Sequence, residues 1–311
     1  ADSNATSPDG WTGWKESLML QLHSATRNFL KGGREEYSRK LNEDRLALRD
    51  EVIDIMREDY HPDVQRHFEK MPSAAFNFRQ AAHIVTQVRT VRQFLQRESQ
   101  TFDPHASCIK WIDHSEKGYT ELVLATRDKP LLLEKICCAL ASEQINILSA
   151  DLFTREDGIV VNIFRVCTTN FETVSALSIR KRVLDTFEAI LIAENYEPEK
   201  YLRRKVNFLK PRSDHGITVP VLAYVSNDLH PTCTTAEIQG LDRIGLLHDL
   251  FSTINSHHLN TAHARICTEK GVAMDTLYIT TADGKKIEDP AFLKQLEGEF
   301  THLISRPETA V

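Results

Sequence analysis

Residues 128–154 read DKPLLLEKICCALASEQINILSADLFT, and residues 242–268 read DRIGLLHDLFSTINSHHLNTAHARICT. At a constant offset of 114 positions, with no gap, Asp128 meets Asp242, Lys129 meets Arg243, Leu132 and Leu133 meet Leu246 and Leu247, Asn146 meets Asn260, Ala150 meets Ala264 and Thr154 meets Thr268. The apolar positions agree as well, since Ile136 falls on Leu250, Leu140 on Ile254 and Ile145 on Leu259. One supersecondary unit therefore occurs twice, and the fold follows from reading that unit.

Residues 119–126 form a short strand, with Leu122 and Leu124 on one side and Glu121, Val123 and Ala125 on the other. Asp128 then stands where a helix N-cap belongs, with Pro130 in the first turn, where its missing N–H costs nothing. Leu132, Leu133, Ile136 and Leu140 recur at helical spacing and face a core. Asn146 ends the following turn, a strand runs to Thr154, Glu156-Asp157-Gly158 makes a hairpin, and Val160, Asn162, Phe164 and Val166 carry the return strand. Residues 173–195 form a second helix with Ala176, Ile179, Val183, Phe187 and Ile190 on one face, and residues 219–225 supply a closing strand. The second copy repeats the plan: strand 232–239, helix 246–257, strands 261–268 and 272–280, then a helix after Pro290. Nothing strand-like follows that helix, so the second copy is expected to be one strand short or to borrow one.

The Asp-Lys/Arg-Pro-Gly-Leu type of turn between strand and helix, followed by an Asn-Ile start to the next strand, resembles the ACT domain, a ferredoxin-like module that binds amino acids. Two such modules, the second written Thr232-Cys233-Thr234-Thr235-Ala236-Glu237-Ile238-Gln239-Gly240-Leu241-Asp242-Arg243, follow a helical segment. That arrangement is similar to the C-terminal portion of the bacterial PII uridylyltransferase/uridylyl-removing enzyme family. The opening Ala1-Asp2-Ser3-Asn4-Ala5-Thr6-Ser7-Pro8, followed by Trp11 and Trp14-Lys15, is similar to the end of that family's HD hydrolase domain. The resemblance implies an α+β chain: a helical segment at 1–107 that ends an HD-type domain, then tandem ferredoxin-like (βαββαβ) ACT domains at 108–228 and 229–311.

Both copies depart from the family turn. The first has Leu131 where the family has Gly; the second has Ile244 where it has Pro but keeps Gly245. A Gly there lets a ligand carboxylate approach the N–H groups of the helix N-terminus, where partial positive charge favours an anion. A Cβ at 131 obstructs that approach, so the second copy, or the interface it forms, is the better amino-acid site. The resemblance assigns amino-acid binding to Asp242, Arg243, Ile244, Gly245, Leu246 and Asn260, with Asp128 and Asn146 from the first copy. Two readings of the aspartates stand together: each caps its helix for about 1 kcal/mol, or its carboxylate also accepts the α-amino group of an amino acid. Asn146 and Asn260 are either turn residues that tolerate left-handed geometry or amide contacts to a ligand side chain.

At 311 residues the chain has room for two or three domains with real apolar cores. A net charge of −6 argues against nucleic acid as a partner. Six cysteines without Cys-x-x-Cys spacing, two of them adjacent at Cys137-Cys138, predict reduced thiols in a cytoplasm. No apolar run approaches the roughly 18 residues of a membrane span, and no signal peptide is present. A start at Ala1 instead of Met predicts a piece of something longer.

In the N-terminal segment, residues 14–30 read as a helix with Leu18, Leu22, Ala25 and Phe29 on one face, stopped by Lys31-Gly32-Gly33. Residues 41–57 form a second helix with Leu48, Val52, Ile55 and Met56 inward, and a short helix runs from His61-Pro62 to near Met71-Pro72. A longer one spans 78–97 with the stripe Ala82, Val85, Val88, Val91 and Leu95, its Arg79, Arg89, Arg92 and Arg97 making a solvated face. Residues 101–107, with Pro104, are expected to link to the first ACT unit. By resemblance Asp2 falls near the last metal-ligand Asp of the HD domain, but a carboxylate alone cannot hold a catalytic metal.

Catalytic constellations are missing. Nucleotidyl transfer in the family uses a Gly-Ser turn for phosphates and an Asp-x-Asp pair for magnesium, and the chain contains neither. It has no His-Glu-x-x-His, no Gly-x-Ser-x-Gly and no P-loop. The dipeptide His248-Asp249 aligns with Glu134-Lys135 on what reads as the outward face of the repeat helix, which argues against a metal pair. His257-His258 is explained by the helix C-terminal dipole.

The resemblance thus implies a glutamine-sensing regulatory region for an enzyme that attaches UMP to the PII protein and removes it. The chain itself holds no catalytic residue or cofactor; Mg or Mn is expected for the full-length enzyme. Expected partners are glutamine, PII through the whole enzyme, and another ACT unit in self-association. Two alternatives are a free-standing amino-acid-binding or dimerisation module, and an ACT pair that is purely structural, joining sheets edge to edge.

Overall fold

The structure is a computed structural model that describes residues 13–77, 79–103, 105–193, 195–202, 220–269 and 271–305. The chain divides into two compact units, one reaching to Glu69 with Ser73–Val85, the other made of Lys70–Pro72 and everything from Thr86 onward.

The first unit is helical. Helix α1 (Gly13–Ile55) carries a kink at Gly33, whose φ of 71° and ψ of −176° only glycine adopts without cost, so the predicted stop is a bend between two helices. Leu48, Val52 and Met56 are buried as expected. Ile55 and Phe29 are instead about half exposed, at 53% and 47%, and the side chains of Leu18, Leu22 and Ala25 lie outside the described set. Helix α2 (His61–Lys70) buries Val64 and Phe68, and the Phe68 ring stacks on Phe76 with centroids 4.2 Å apart. Helix α3 (Ala81–Thr101), which belongs to the first unit up to Val85 and to the second from Thr86, buries Ile84, Val85, Val88, Val91 and Phe94, a stripe one step round from the predicted one, leaving Ala82 exposed and Leu95 half-buried.

The second unit is built on one antiparallel sheet. Its first repeat comprises β1 (Ser107–His114), β2 (Tyr119–Arg127), α4 (Leu132–Ser142), β3 (Asn146–Thr154), β4 (Ile159–Cys167), α5 (Leu177–Ile192) and the short α6 (Pro198–Leu202). Its second comprises β5 (Leu222–Ser226), β6 (Thr234–Leu241), α7 (Leu246–Ser256), β7 (Asn260–Glu269), β8 (Val272–Thr280) and α8 (Pro290–Ser305). The strand order β1-β2-β4-β3-β7-β8-β6-β5 makes the two halves mirror each other about the centre.

The α+β, ferredoxin-like class holds, with one rearrangement. The strand at each outer edge precedes the repeat instead of closing it: β1 pairs with β2 from Ser107↔Thr126 to His114↔Tyr119, and β5 pairs with β6 from Leu222↔Gln239 to Ser226↔Thr235. The strand expected to close the first repeat therefore opens the second, which is not short of a strand. Part of the predicted linker and the residues after it are β1, whose alternation of Ile109 and Trp111 with Lys110 is the signal for it.

The halves join within the chain through β3 and β7, where Ser149, Ala150 and Asp151 face Cys267, Ile266 and Arg265. Asp151 and Arg265 are repeat equivalents, so the pseudo-twofold axis passes through this pair. All repeat helices lie on one face, where Leu122, Leu124, Ile136, Leu140, Phe164, Leu250, Ile254 and Leu277 form a continuous core. On the opposite face of the first repeat Val123, Ala125, Val161 and Ile163 are buried. Along that repeat the portion of α3 from Thr86 onward donates from Arg97 Nη1 to the Ser107 carbonyl at 3.1 Å and ion-pairs Glu98 with Arg127 at 2.6 Å.

Candidate functional site

The first turn of α7 and the last turn of α4 meet over the β3–β7 seam. Both repeat helices start one residue after a left-handed residue, Leu131 (φ 62°) for α4 and Gly245 (φ 83°) for α7, and neither start carries a side-chain cap. Asp128 and Asp242 are therefore not N-caps, a correction to the sequence reading, because the chain turns once more before each helix begins. Their backbones anchor the preceding hairpins instead: Asp128 N–H donates to Gly158 and Asp242 N–H to Gly271. The left-handed turn suits Gly245, whereas Leu131 holds it against the steric preference of an L-residue.

Between the repeats lies a shallow cleft open to solvent. Asp242, Arg243, Gly245, Leu247 and His248 line it from the second repeat. Cys137, Ala141, Ile145, Asn146 and Ile147 line it from the first. Asn146 Nδ2 donates to Asp242 Oδ2 at 3.1 Å, a bond from one repeat to the other. A Cβ built on Gly245 would reach only Arg243 Nη1 at 3.9 Å and Ala141 Cβ at 4.0 Å, so glycine leaves empty space in front of the helix N-terminus.

Of the residues assigned by resemblance, Asn146, Asp242, Arg243 and Gly245 come together in this cleft. Leu246 does not, being 1% exposed in the core, and Ile244 is half-buried outside the lining. Asp128 and Asn260 are exposed and belong to the counterpart position on the far side of the pseudo-twofold axis. Asp2 lies outside the described residues.

His248 is the residue that sequence reasoning missed. The face it occupies reads as outward because in a single repeat it would be, but α4 packs against α7 and leaves His248 and its repeat equivalent Glu134 each 5% exposed. His248 Nδ1 lies 3.1 Å from Asp249 Oδ1, and Arg243 Nη2 lies 2.5 Å from Asp249 Oδ2. Burial disfavours the charged form of Asp249, yet hydrogen bonds from His248 and Arg243 and the nearby guanidinium charge hold its carboxyl below the usual carboxylate range. His248 Nε2 has no hydrogen-bond partner, and Glu134 Oε1 stands 3.7 Å away. Glu134 Oε2 instead accepts from Asn255 Nδ2 at 2.6 Å. A pairing signal would have exposed this cluster: a buried position that is His in one copy and Glu in the other points to a contact across the repeat axis.

Behind the seam the repeats differ by one charge. The second hairpin is one residue shorter, which makes Asp275 the equivalent of Asn162: Phe153 N–H donates to Asn162 Oδ1 at 3.2 Å and Cys267 N–H to Asp275 Oδ1 at 3.1 Å. Burial, with a smaller contribution from the Asp242 charge, pushes the Asp275 carboxyl up to about 7. Among the described residues no group of three or more His, Cys, Asp and Glu side chains converges to hold a metal ion. No helix among them is long and apolar enough to cross a membrane.

Comparison with known proteins agrees with this architecture. Residues 223–307, from β5 to the end of α8, match the family model of an ACR9-like, ACT-like domain. A bifunctional uridylyltransferase/uridylyl-removing enzyme of Bradyrhizobium sp. (strain BTAi1) is 25% identical over 312 aligned positions, covering 100% of this chain and 32% of the relative. The enzymes of the same description from Rhodospirillum rubrum and Gluconobacter oxydans are 27% and 28% identical, covering 98% and 99% of the chain and again 32% of each relative. The chain thus carries an ACT-like domain in its second repeat, and over its whole length its relatives are bifunctional uridylyltransferase/uridylyl-removing enzymes, of which it spans about a third.

Proposed function

We propose that this chain is the amino-acid-sensing regulatory region of a bifunctional enzyme that uridylylates the PII nitrogen-signalling protein and removes the UMP again, with glutamine as the effector. The observation that carries the reading is the Gly245 cleft: an opened helix N-terminus, positive in potential, beside a carboxylate at Asp242, with walls drawn from both repeats. Such a site takes an α-carboxylate at the α7 N–H groups and an α-ammonium at Asp242. Because each repeat supplies half of the walls, the ligand's affinity depends on how the repeats are apposed, and by linkage the ligand biases that apposition. Catalysis, its magnesium or manganese and the contacts to PII belong to the two thirds of the relatives' length that this chain does not span. A cytoplasmic setting accords with six free cysteines.

Calorimetric titration with glutamine tests the site. Gly245→Val places a branched side chain in the empty space and is expected to abolish binding, while Gly245→Ala, which strains the same left-handed turn at φ 83° but adds only ordinary contacts, is the control for backbone strain and should keep more of the binding. Glutamine binding that persists unchanged in Gly245→Val removes the cleft as the site.

A further inference from the structure

The pseudo-twofold axis supplies an internal template for what the cleft takes. At the counterpart position the buried carboxylate of Glu134 is satisfied by the carboxamide of Asn255, donated at 2.6 Å. Applying the 114-residue offset, Glu134 becomes His248 and Asn255 becomes Ala141. His248 and Ala141 both line the open cleft, and no carboxamide is there to meet His248 Nε2, which is buried without a partner. The orientation of the ring is fixed from behind: Asp249 Oδ1, its carboxylate held by Arg243, accepts a hydrogen bond from Nδ1–H, so in the neutral ring Nε2 presents a lone pair. Glu134 Oε1, 3.7 Å from Nε2, is a second acceptor and offers no proton of its own when ionised.

We propose that His248 reads the side chain of the bound molecule by accepting an N–H from a ligand carboxamide, which occupies the space that Asn255 fills on the other side of the axis. The inference rests on the reading of the cleft as an amino-acid site and deepens it. His248 selects a neutral amide over the matching acid, because a carboxylate has no proton to give Nε2 and would face Glu134. Leaving a buried acceptor unpaired is the costly outcome, which makes discrimination of this kind larger than the strength of one hydrogen bond suggests.

The test titrates the full chain with L-glutamine, L-asparagine and L-glutamate, and repeats the titrations on His248→Leu and Ala141→Asn, with thermal unfolding to establish that each variant folds. At least one carboxamide amino acid should bind at least tenfold more tightly than glutamate. His248→Leu should weaken that ligand about tenfold and bring it within about threefold of glutamate. Ala141→Asn installs the internal carboxamide, so it should lower affinity for every amino acid at least tenfold without lowering the unfolding temperature. A chain that binds none of the three amino acids overturns the cleft reading and this inference with it. Binding in which glutamate matches the amides, or in which His248→Leu keeps the original preference, overturns the role of His248 alone.

Discussion

The two ends of the α4–α7 helix pair keep the same Asp and Asn, Asp242 with Asn146 at one and Asp128 with Asn260 at the other, but differ in the side chains around them. Around the first turn of α7 stand Gly245, Ala141 and Cys137, with a cleft between them. Around the first turn of α4 the equivalent positions hold Leu131, Asn255 and Phe251, and Asn255 is bonded to Glu134. Three small residues at one end correspond to three larger ones at the other, and the unpartnered His248 Nε2 corresponds to a Glu134 carboxylate that accepts from Asn255. Side-chain volume with one internal hydrogen bond is enough to leave one end of the helix pair open as a cleft and to close the other as a clamp between the repeats.

The largest expected effect on stability concerns the buried pair Asn162 and Asp275. Above pH 4 the unfolded chain loses the Asp275 proton while the folded chain keeps it, so this carboxyl lowers stability as pH rises from about 4 to about 7, after which the penalty levels off. Asp275→Asn, which makes the second repeat like the first, should stabilise the protein by on the order of 2–4 kcal/mol at pH 8 and by almost nothing at pH 4. Chemical denaturation of both proteins across that range measures it, and equal gains at the two pH values would show that Asp275 ionises freely in the fold.

A smaller effect is expected at the clamp. Asn255→Ala leaves the buried Glu134 carboxylate without its donor, for a loss of about 1–3 kcal/mol; Ala141→Asn at the mirror position should cost nothing. Equal losses from the two substitutions would mean that the clamp and the cleft are energetically alike. Smallest is Leu131→Gly: relief of the left-handed backbone is partly cancelled by added unfolded-state freedom, leaving a gain of about 0.5–1 kcal/mol. A loss there would show that the contacts of the Leu131 side chain outweigh its backbone strain.

The repeat, the helices and seven of the eight strands were legible in the sequence, because each is written in local periodicity or in a residue type with few conformational alternatives. The edge strands were harder. β1 is a half-buried strand without a tight turn signal before it, and β5 was visible as a strand but not as the partner of β6, since pairing across the connection 227–233 leaves no local mark. Asp242 was read as a cap because the left-handed residue that actually starts the helix lies three positions later. His248 was read as exposed because its burial comes from a second copy of its own helix, and a periodicity argument applied to one helix at a time does not contain that neighbour.

The central claim is that one amino-acid site remains where duplication provided two, and counting sites tests it most directly. Isothermal titration of the chain with glutamine, with glutamate and isoleucine as controls, should give one molecule bound per chain, lost in Gly245→Val and unaffected by Leu131→Val. Two molecules per chain, or a single one that survives Gly245→Val and is lost in Leu131→Val, would contradict the account.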